Sequence, residues 1–229
     1  MSAAPSTLDE LVDRAAGLVH EGGRTVLGVV GAPGSGKSTL VDALVEQLLT
    51  LPSPTGDNEE PWVVGLPMDG FHLSNARLEE LGLSDRKGAP ETFDAWGFAA
   101  LMARLTDPDE ADHTVYSPSF EREIEEPVAG AVAVSPAARL VITEGNYLLL
   151  EDPPWEAARR QLAEVWMCDT EEERRMRQLI ARHERFGMEP DAARDWAQGP
   201  DQSNADLVLA AAHRADVRIG EELLLACGE

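Results

Sequence analysis

The sequence has little positive charge, and lysine in particular is scarce. Its 229 residues include 42 acidic and 19 basic side chains, and the formal net charge is −23. Such a chain repels nucleic acid and anionic membrane surfaces, which argues against both as main partners. Any phosphate site must therefore be built locally. Lys37 and Lys87 are the two lysines among 19 basic residues. Their compact ammonium groups suggest roles that the arginine side chain does not fill.

Cysteine and long apolar runs are also scarce. Cys168 and Cys227 lie far apart without a metal-ligand spacing, which predicts a reducing compartment. The first 20 residues lack the basic start and apolar core of a signal peptide. No run of about 18 apolar residues could span a membrane. We therefore expect a cytoplasmic protein.

Apolar runs typical of buried strands alternate with segments of helical period. This alternation predicts an α/β fold with a central parallel sheet covered on both faces. Strands are predicted at 25–31, 62–68, 139–145 and 163–169, with edge strands at 205–209 and 215–219. Helices are predicted at 7–20, 37–50, 75–81, 92–105, 171–187 and 191–198.

The stretch GAPGSGKST between the first strand and the following helix matches the pattern G-x-x-x-x-G-K-[ST]. Its glycines let backbone amides face a polyphosphate, and the helix start adds positive potential. We expect Lys37 to neutralise phosphate oxygens and the Ser38 hydroxyl to bind Mg²⁺. The predicted nucleotide-binding residues of this P-loop are Gly31, Ala32, Pro33, Gly34, Ser35, Gly36, Lys37, Ser38 and Thr39.

The rest of the chain narrows the class of P-loop protein. With only two lysines, it lacks the Asn-Lys-x-Asp guanine reader of GTPases, and it lacks the Leu-Ser-Gly-Gly signature of transporters. These absences favour a small-molecule kinase with ATP and Mg²⁺ as cofactors.

Two acidic residues follow predicted strands, where ligands collect in parallel sheets. Asp69, after WVVGLPM, is positioned to accept a proton from an attacking hydroxyl, although a turn or helix cap is an alternative role. We expect Gly70 to let the backbone turn sharply away. Glu144, at the end of LVITEG, is a candidate for the Mg²⁺ shell.

The stretches GAPGSGKST, MDGFHL, RKGAPETFD and TEGNYLLL occur in the order seen in the uridine kinase, phosphoribulokinase and type I pantothenate kinase superfamily. The resemblance covers roughly residues 25–210. EGNYLLL and RHERFG also resemble bacterial nucleoside/nucleotide kinase-like proteins and sugar-transport kinases. The resemblance implies a three-layer P-loop NTPase sandwich with a helical lid. It further implies that Asp69 is the catalytic base and that Glu144 lies by the metal.

The resemblance also implies an arginine-bearing lid that closes over ATP. Within the basic segment 171–187, Arg182 is favoured for catalysis, followed by Arg185 and Arg175. The alternative is a solvated helix face paired with the neighbouring glutamates. Asn204 lies in a stretch that passes near adenine in the superfamily, and a loop cap is its alternative role.

The acceptor side is expected around the loop 74–92 and the segment VYSPSFERE. Asp94 is suggested by the resemblance as a hydroxyl anchor, although it also opens a helix. Pro118 and Glu121 replace histidines of pantothenate and uridine kinases, which argues against a direct transfer of either substrate. Tyr116, Phe120 and Arg122 are candidate residues of the acceptor pocket. Alternatively, the two aromatic side chains belong to the core and Arg122 lies on the surface. The predicted acceptor residues are Asp69, His72, Arg86, Lys87, Asp94, Tyr116, Phe120, Arg122 and Asn146.

The sequence thus predicts one P-loop kinase domain over 1–229, with an N-terminal helix in 1–22, the acceptor loop 74–92 and a lid in 171–198. Its expected partner is a small-molecule substrate with a nucleoside-like, pantothenate-like or sugar structure, and a homodimer is left open. The alternative is a regulatory or interaction protein that hydrolyses ATP slowly and has no acceptor.

Overall fold

A five-stranded parallel sheet forms the centre of the protein. The computed structural model describes residues 5–20, 22–54, 56 and 60–228. The strand order is β2-β5-β1-β6-β7, and each neighbouring pair is parallel, as the sequence predicts. The strands are β1 (Thr25–Val30), β2 (Val63–Pro67), β5 (Leu140–Gly145), β6 (Glu164–Asp169) and β7 (Val217–Gly220).

Helices cover both faces of this sheet. Within β1, Val26 and Val30 pack into one core cluster, whereas Leu27 and Val29 pack into the other. Because successive strand residues point to opposite faces, the two clusters lie on opposite sides of the sheet. The helices are α1 (Leu8–Gly17), α2 (Lys37–Leu49), α3 (Asn75–Leu81), α4 (Ala95–Thr106), α5 (Pro153–Arg159), α6 (Glu172–Arg185), α7 (Pro190–Gln198), α8 (Pro200–Ala211) and α9 (Glu221–Ala226).

The predicted edge strand at 205–209 is wrong, because these residues belong to α8. Ala205, Val208 and Ala211 are buried at helical spacing, so the apolar run follows a helix face rather than a strand. The other predicted edge strand is confirmed as β7, at the end of the sheet.

An antiparallel hairpin, which the sequence did not predict, stands apart from the central sheet. It consists of β3 (Val115–Glu121) and β4 (Glu126–Val134), and its register shifts between Ser117 and Ser119. The hairpin packs against the short 3₁₀ turn Met68–Phe71 that follows β2. Its position brings part of the VYSPSFERE segment to the carboxyl end of the sheet.

The register of β2 and β5 fixes the neighbourhood of the two strand-end acids. Pro67 pairs with Glu144 at the ends of these strands, and Asp69 follows two residues later. The two acids are therefore brought to the same edge, next to the P-loop that leaves β1. Among the helices described, none has the length and apolar character needed to cross a membrane.

Candidate active site

The P-loop connects β1 to α2 and leaves the first amides of the helix free. Gly34 and Gly36 have φ values of 82° and 85°, in the left-handed region that favours glycine. Gly36 is the N-cap of α2 and has no side-chain capping bond. A side chain at Gly34 would also approach the Arg175 carbonyl to 2.8 Å. The loop is thus a cradle for an anion at a helix start.

Lys37 is folded against this cradle. The residue is only 9% exposed, and its Nζ donates a hydrogen bond to the Ala32 carbonyl at 3.2 Å. Burial lowers the pKa of Lys37, while the carboxylates of Glu144 and Asp69 oppose that shift. A buried ammonium beside an anion cradle is well placed to neutralise phosphate oxygens.

Ser38 and Glu144 bring two hard oxygen ligands together. The Ser38 hydroxyl donates a hydrogen bond to Glu144 Oε1 at 3.0 Å. Burial raises the pKa of Glu144, and the nearby Lys37 charge works against this increase. Within the described ranges, no group of three His, Cys, Asp or Glu residues could hold a metal. The Ser38–Glu144 pair fits Mg²⁺, which is commonly held by one or two protein oxygens together with phosphates and water.

Asp69 lies in the 3₁₀ turn after β2, with its side chain 33% exposed and 3.8 Å from Arg122. Gly70 lies within this turn, but its φ is not positive, so the turn itself does not require glycine. Instead, a Cβ at Gly70 would lie 2.2 Å from the Pro118 carbonyl oxygen. Glycine is required because the hairpin strand β3 packs directly on this turn. The contact fixes the position of Asp69 relative to the hairpin.

Two cavities meet at these residues. The Asp69 cavity, of about 500 Å³, is lined by Asp69 and Glu144 among others. The P-loop cavity, of about 550 Å³, is lined by residues 34–39 and part of α6. Five residues are shared between the linings of the two cavities, namely Lys37, Ser38, Arg122, Arg182 and Phe186.

The arginines of α6 fall into two groups. Arg182 lines both cavities and Arg185 lines the P-loop cavity. Burial lowers the pKa of Arg182, and the Arg122 charge adds to this shift. Arg175 is placed differently from the expected lid position: it is 2% exposed and donates hydrogen bonds to the Pro33 carbonyl and to Gln202. It supports the P-loop from behind and lines neither cavity.

Five of the predicted acceptor residues besides Asp69 line the Asp69 cavity: His72, Lys87, Phe120, Arg122 and Asn146. His72 donates a hydrogen bond from Nδ1 to the Asp69 carbonyl at 2.7 Å, and its ring packs 4.0 Å from Phe93 and 4.9 Å from Phe120.

Three predicted acceptor residues do not line this cavity. Arg86 pairs with Glu91 at 2.5 Å. Asp94 is the N-cap of α4, and its side chain accepts a hydrogen bond from the Gly97 amide at 2.9 Å. Tyr116 is 61% exposed on the hairpin. Each of them is accounted for by a local structural role or by solvent.

Sequence reasoning missed several residues of α6, α7 and α8 that line the Asp69 cavity. His183 lies 2.7 Å from Asp201 through its Nε2 atom, and Trp196 lines the cavity from α7. Asn204, expected near adenine or in a loop cap, is a helix residue that lines the Asp69 cavity and not the P-loop cavity. The signal that could have revealed this side of the cavity is the polar pair at positions 201 and 204, which shares a helix face with the apolar residues Ala205, Val208 and Ala211.

No protein-family model matches the chain. Over 166 residues it is 40% identical to "Putative uridine kinase C227.14" of Schizosaccharomyces pombe, covering 67% of this chain but only 63% of that protein. Over 131 residues it is 39% identical to "ATP-dependent kinase-like protein notR'" of Aspergillus versicolor, covering 55% of this chain and 76% of the relative.

Structural similarity extends over most of the chain. The "putative fructose transport system kinase from Silicibacter sp. TM1040" is 36% identical, with a TM-score of 0.80, and the match covers 94% of this chain and 100% of that one. The sequence and structural relatives agree with the motifs and with the parallel sheet. The chain therefore belongs to the P-loop kinase superfamily that includes the uridine kinases and type I pantothenate kinases.

Proposed function

We propose that the protein is an ATP-dependent phosphotransferase that phosphorylates a hydroxyl group of a small metabolite. The observation that carries the proposal is the junction of the two cavities. Lys37, Ser38 and Arg182 line both of them, whereas Asp69 lines only one. The P-loop cavity is suited to the triphosphate and the Asp69 cavity to the acceptor, so the γ-phosphoryl group would lie where they meet.

The chemistry follows from this arrangement. Asp69 accepts the proton of the acceptor hydroxyl, whose oxygen attacks the γ-phosphorus. The bond from the γ-phosphorus to the bridging oxygen breaks, and ADP leaves with that electron pair. Lys37, Arg122 and Arg182 stabilise the negative charge on the transferring group, and they do so in a site partly shielded from water.

Ser38 and Glu144 would hold Mg²⁺ in this site. When bound, Mg²⁺ neutralises charge on the phosphate oxygens. Burial raises the pKa of Glu144, because a carboxylate that is removed from water loses hydration, and a bound cation would favour its ionised form.

The names of the relatives leave the acceptor open. One relative is named for uridine and a structural relative for fructose transport, and pantothenate kinases are also similar to part of the chain. A nucleoside-like, a sugar or a pantothenate-like acceptor is therefore the set to test. The Asp69 cavity, about 500 Å³ in volume, accommodates a molecule of this size.

The experiment is an ADP-release assay with ATP, Mg²⁺ and a panel of nucleosides, sugars and pantothenate. We expect turnover that depends on an acceptor and falls by about 10²–10⁴-fold in Asp69→Asn. The matched control is Asp94→Asn, which removes a carboxylate outside the cavity but keeps an efficient helix cap and should retain activity. ADP release that needs no acceptor and is unchanged in Asp69→Asn would instead identify a slow ATPase with a regulatory role.

A further inference from the structure

Asn204 presents a buried amide that lacks a protein partner. The residue is 4% exposed, lines the Asp69 cavity, and its side chain makes no hydrogen bond with any residue that the structure describes. The rest of the residue is buried, so the amide faces the cavity, where its hydrogen-bond partners have to come from water or from a ligand.

Asp201 lies one helical turn before Asn204 in α8, so the two side chains share a helix face. Asp201 is 8% exposed, and its Oδ2 atom lies 2.7 Å from His183 Nε2. Its second carboxylate oxygen has no hydrogen-bond partner within the described part of the chain. A free carboxylate oxygen accepts hydrogen bonds, and an amide both donates and accepts them. A hydroxyl group satisfies such a pair because it can do both as well.

Among the described residues, each lysine or arginine that lines the Asp69 cavity either lines the P-loop cavity as well or is already paired. Lys37, Arg122 and Arg182 also line the P-loop cavity, where the triphosphate needs them. Lys87 is already engaged: its Nζ donates to Asn75 Oδ1 at 2.8 Å and to the Glu125 carbonyl at 2.7 Å, and lies 3.5 Å from the Glu125 carboxylate. These contacts use its three protons.

The titratable groups that remain make this end unfavourable for an anion. Burial lowers the pKa of His72, so this ring is neutral at pH 7. His183 is paired with Asp201. The carboxylates of Asp69, Glu125 and Asp201 line the same cavity, and they would repel an acceptor that carries a carboxylate or a phosphate.

The Asn204 amide has no protein partner among the residues described, and the described lysines and arginines of this cavity are engaged elsewhere. We therefore infer that the acceptor is an uncharged polyhydroxy compound, and that Asp201 and Asn204 bind those of its hydroxyls that are not phosphorylated. The inference rests on the proposed kinase function and specifies its substrate class. Free sugars and the ribose of a nucleoside share this chemistry. The rings of Phe93, Phe120 and Trp196 add apolar surface for the carbon face of either ligand.

The first test compares neutral and acidic members of matched pairs: glycerol with glycerate, glucose with gluconate, and pantothenol with pantothenate. Free sugars and uridine complete the panel. We expect kcat/KM to be at least about tenfold higher for the neutral member of each pair that is turned over, since an unpaired buried charge is expensive. Comparing kcat/KM for free sugars with kcat/KM for uridine distinguishes a sugar acceptor from a nucleoside acceptor. Turnover that is faster with the acidic members would overturn the inference while leaving the kinase function intact.

The second test uses Asn204→Ala, with Asp206→Asn as the control. Asp206 lies on the exposed face of the same helix, where it accepts a hydrogen bond from Gln202 at 2.9 Å. For Asn204→Ala we expect the acceptor KM to rise about tenfold, with kcat within about threefold and the KM for ATP unchanged. A role confined to folding would instead lower kcat and thermal stability without this selective change in KM.

A binding measurement tests the proposed acceptor class independently of the proposed kinase activity. Calorimetry with Asp69→Asn, which keeps Asp201 and Asn204 intact, reports binding of sugars, uridine and pantothenate without turnover. If a neutral ligand binds and the double variant Asp69→Asn/Asn204→Ala loses that binding, the inference stands even where no acceptor is phosphorylated. Preferential binding of pantothenate, or no binding of any neutral ligand, overturns it.

Discussion

Ser38 and Glu144, 106 positions apart in the chain, are joined by a hydrogen bond of 3.0 Å between the start of α2 and the end of β5. The contact exists because β5 lies next to β1 in the sheet, so the end of β5 faces the loop that leaves β1. It places a hydroxyl and a carboxylate where hard cations bind. The magnesium site proposed for this kinase depends on that pair.

Ser38→Ala should therefore weaken Mg²⁺-dependent nucleotide binding. We expect ATP affinity in the presence of Mg²⁺ to fall about 10–100-fold, whereas affinity in EDTA changes little because the P-loop amides remain. Isothermal titration calorimetry with and without EDTA measures both values. Thr50→Ala removes a hydroxyl that bonds the Gln47 carbonyl at the other end of α2; equal losses in the two variants would contradict a metal role for Ser38.

Arg182 and Arg175 provide a second test, because the structure gives them different environments on one helix. The Arg182 side chain makes no hydrogen bond or ion pair with the described residues, and both burial and the Arg122 charge lower its pKa. Arg182→Ala should lower kcat about 10²–10³-fold and leave the free energy of unfolding unchanged or slightly higher, because the repulsion is relieved.

Arg175→Ala should have the opposite profile. It would leave the Pro33 carbonyl and the Gln202 side chain without their donor, at a cost of about 2–4 kcal/mol in unfolding free energy. Urea unfolding and steady-state kinetics on both variants check the pair of outcomes. A stability loss in Arg182→Ala that matches its loss of activity would remove the case for a catalytic lid arginine.

The P-loop and its flanking elements could be predicted because their signals are local. A β-branched run, a glycine pattern and a helical period follow one another within residues 25–50, and each determines its own backbone conformation. The strand-end positions of Asp69 and Glu144 followed from the same logic, since parallel strands bring their carboxyl ends to one edge.

Helix α8 could not be recognised for a reason connected with its site. Its buried face includes Asp201 and Asn204, and these polar residues interrupt the apolar period that identifies a helix. What remained was the short apolar run ADLVL, which fits a strand as well as a helix. Local rules are expected to fail where binding residues occupy buried positions.

The roles of Gly70 and Arg175 depend on tertiary contacts that no local pattern encodes. Gly70 is required by the Pro118 carbonyl, which belongs to a hairpin with few strand signals because most of β4 is exposed. Arg175 is directed into the protein by the packing of α6 against the P-loop. Sequence spacing alone gives Arg175 and Arg182 similar positions in a basic helix.

The packing at Gly70 leads to a third prediction. Gly70→Ala would place a methyl group 2.2 Å from a backbone oxygen, and backbone atoms cannot move away as a flexible side chain can. We expect a loss of about 1–3 kcal/mol in unfolding free energy, together with a lower kcat because the turn that carries Asp69 is displaced. Urea unfolding and the ADP-release assay measure the two effects.

The control for this variant is Gly17→Ala in α1, where, apart from the neighbouring backbone of the helix, no atom of the described residues lies within 4 Å of the added group. This substitution should increase stability by about 0.5–1 kcal/mol, because alanine loses less backbone entropy in a helix. An unchanged stability and kcat in Gly70→Ala would show that the hairpin does not position Asp69.

The buried imidazole of His72 gives a prediction about pH. Burial lowers its pKa below 6.5, and the Lys87 charge acts in the same direction. The neighbouring Asp69 and Glu125 carboxylates oppose this shift but do not cancel it. Below pH 6.5 the unfolded chain therefore takes up a proton that the folded protein refuses, and the free energy of unfolding falls as the solution is acidified. More than about one unit above pH 6.5 the ring is neutral in both states and contributes no slope.

His72→Asn isolates this contribution. The asparagine amide can replace the donor that His72 Nδ1 provides to the Asp69 carbonyl, but it does not titrate. Urea unfolding at pH 7.5 and pH 5.5 should show a smaller loss of stability on acidification in the variant than in the wild-type protein, with the difference developing as the pH falls through 6.5. Equal pH dependence in the two proteins would mean that His72 accepts its proton as readily in the folded state as in the unfolded one, and that its burial next to Phe93 and Phe120 imposes no penalty on the charged ring.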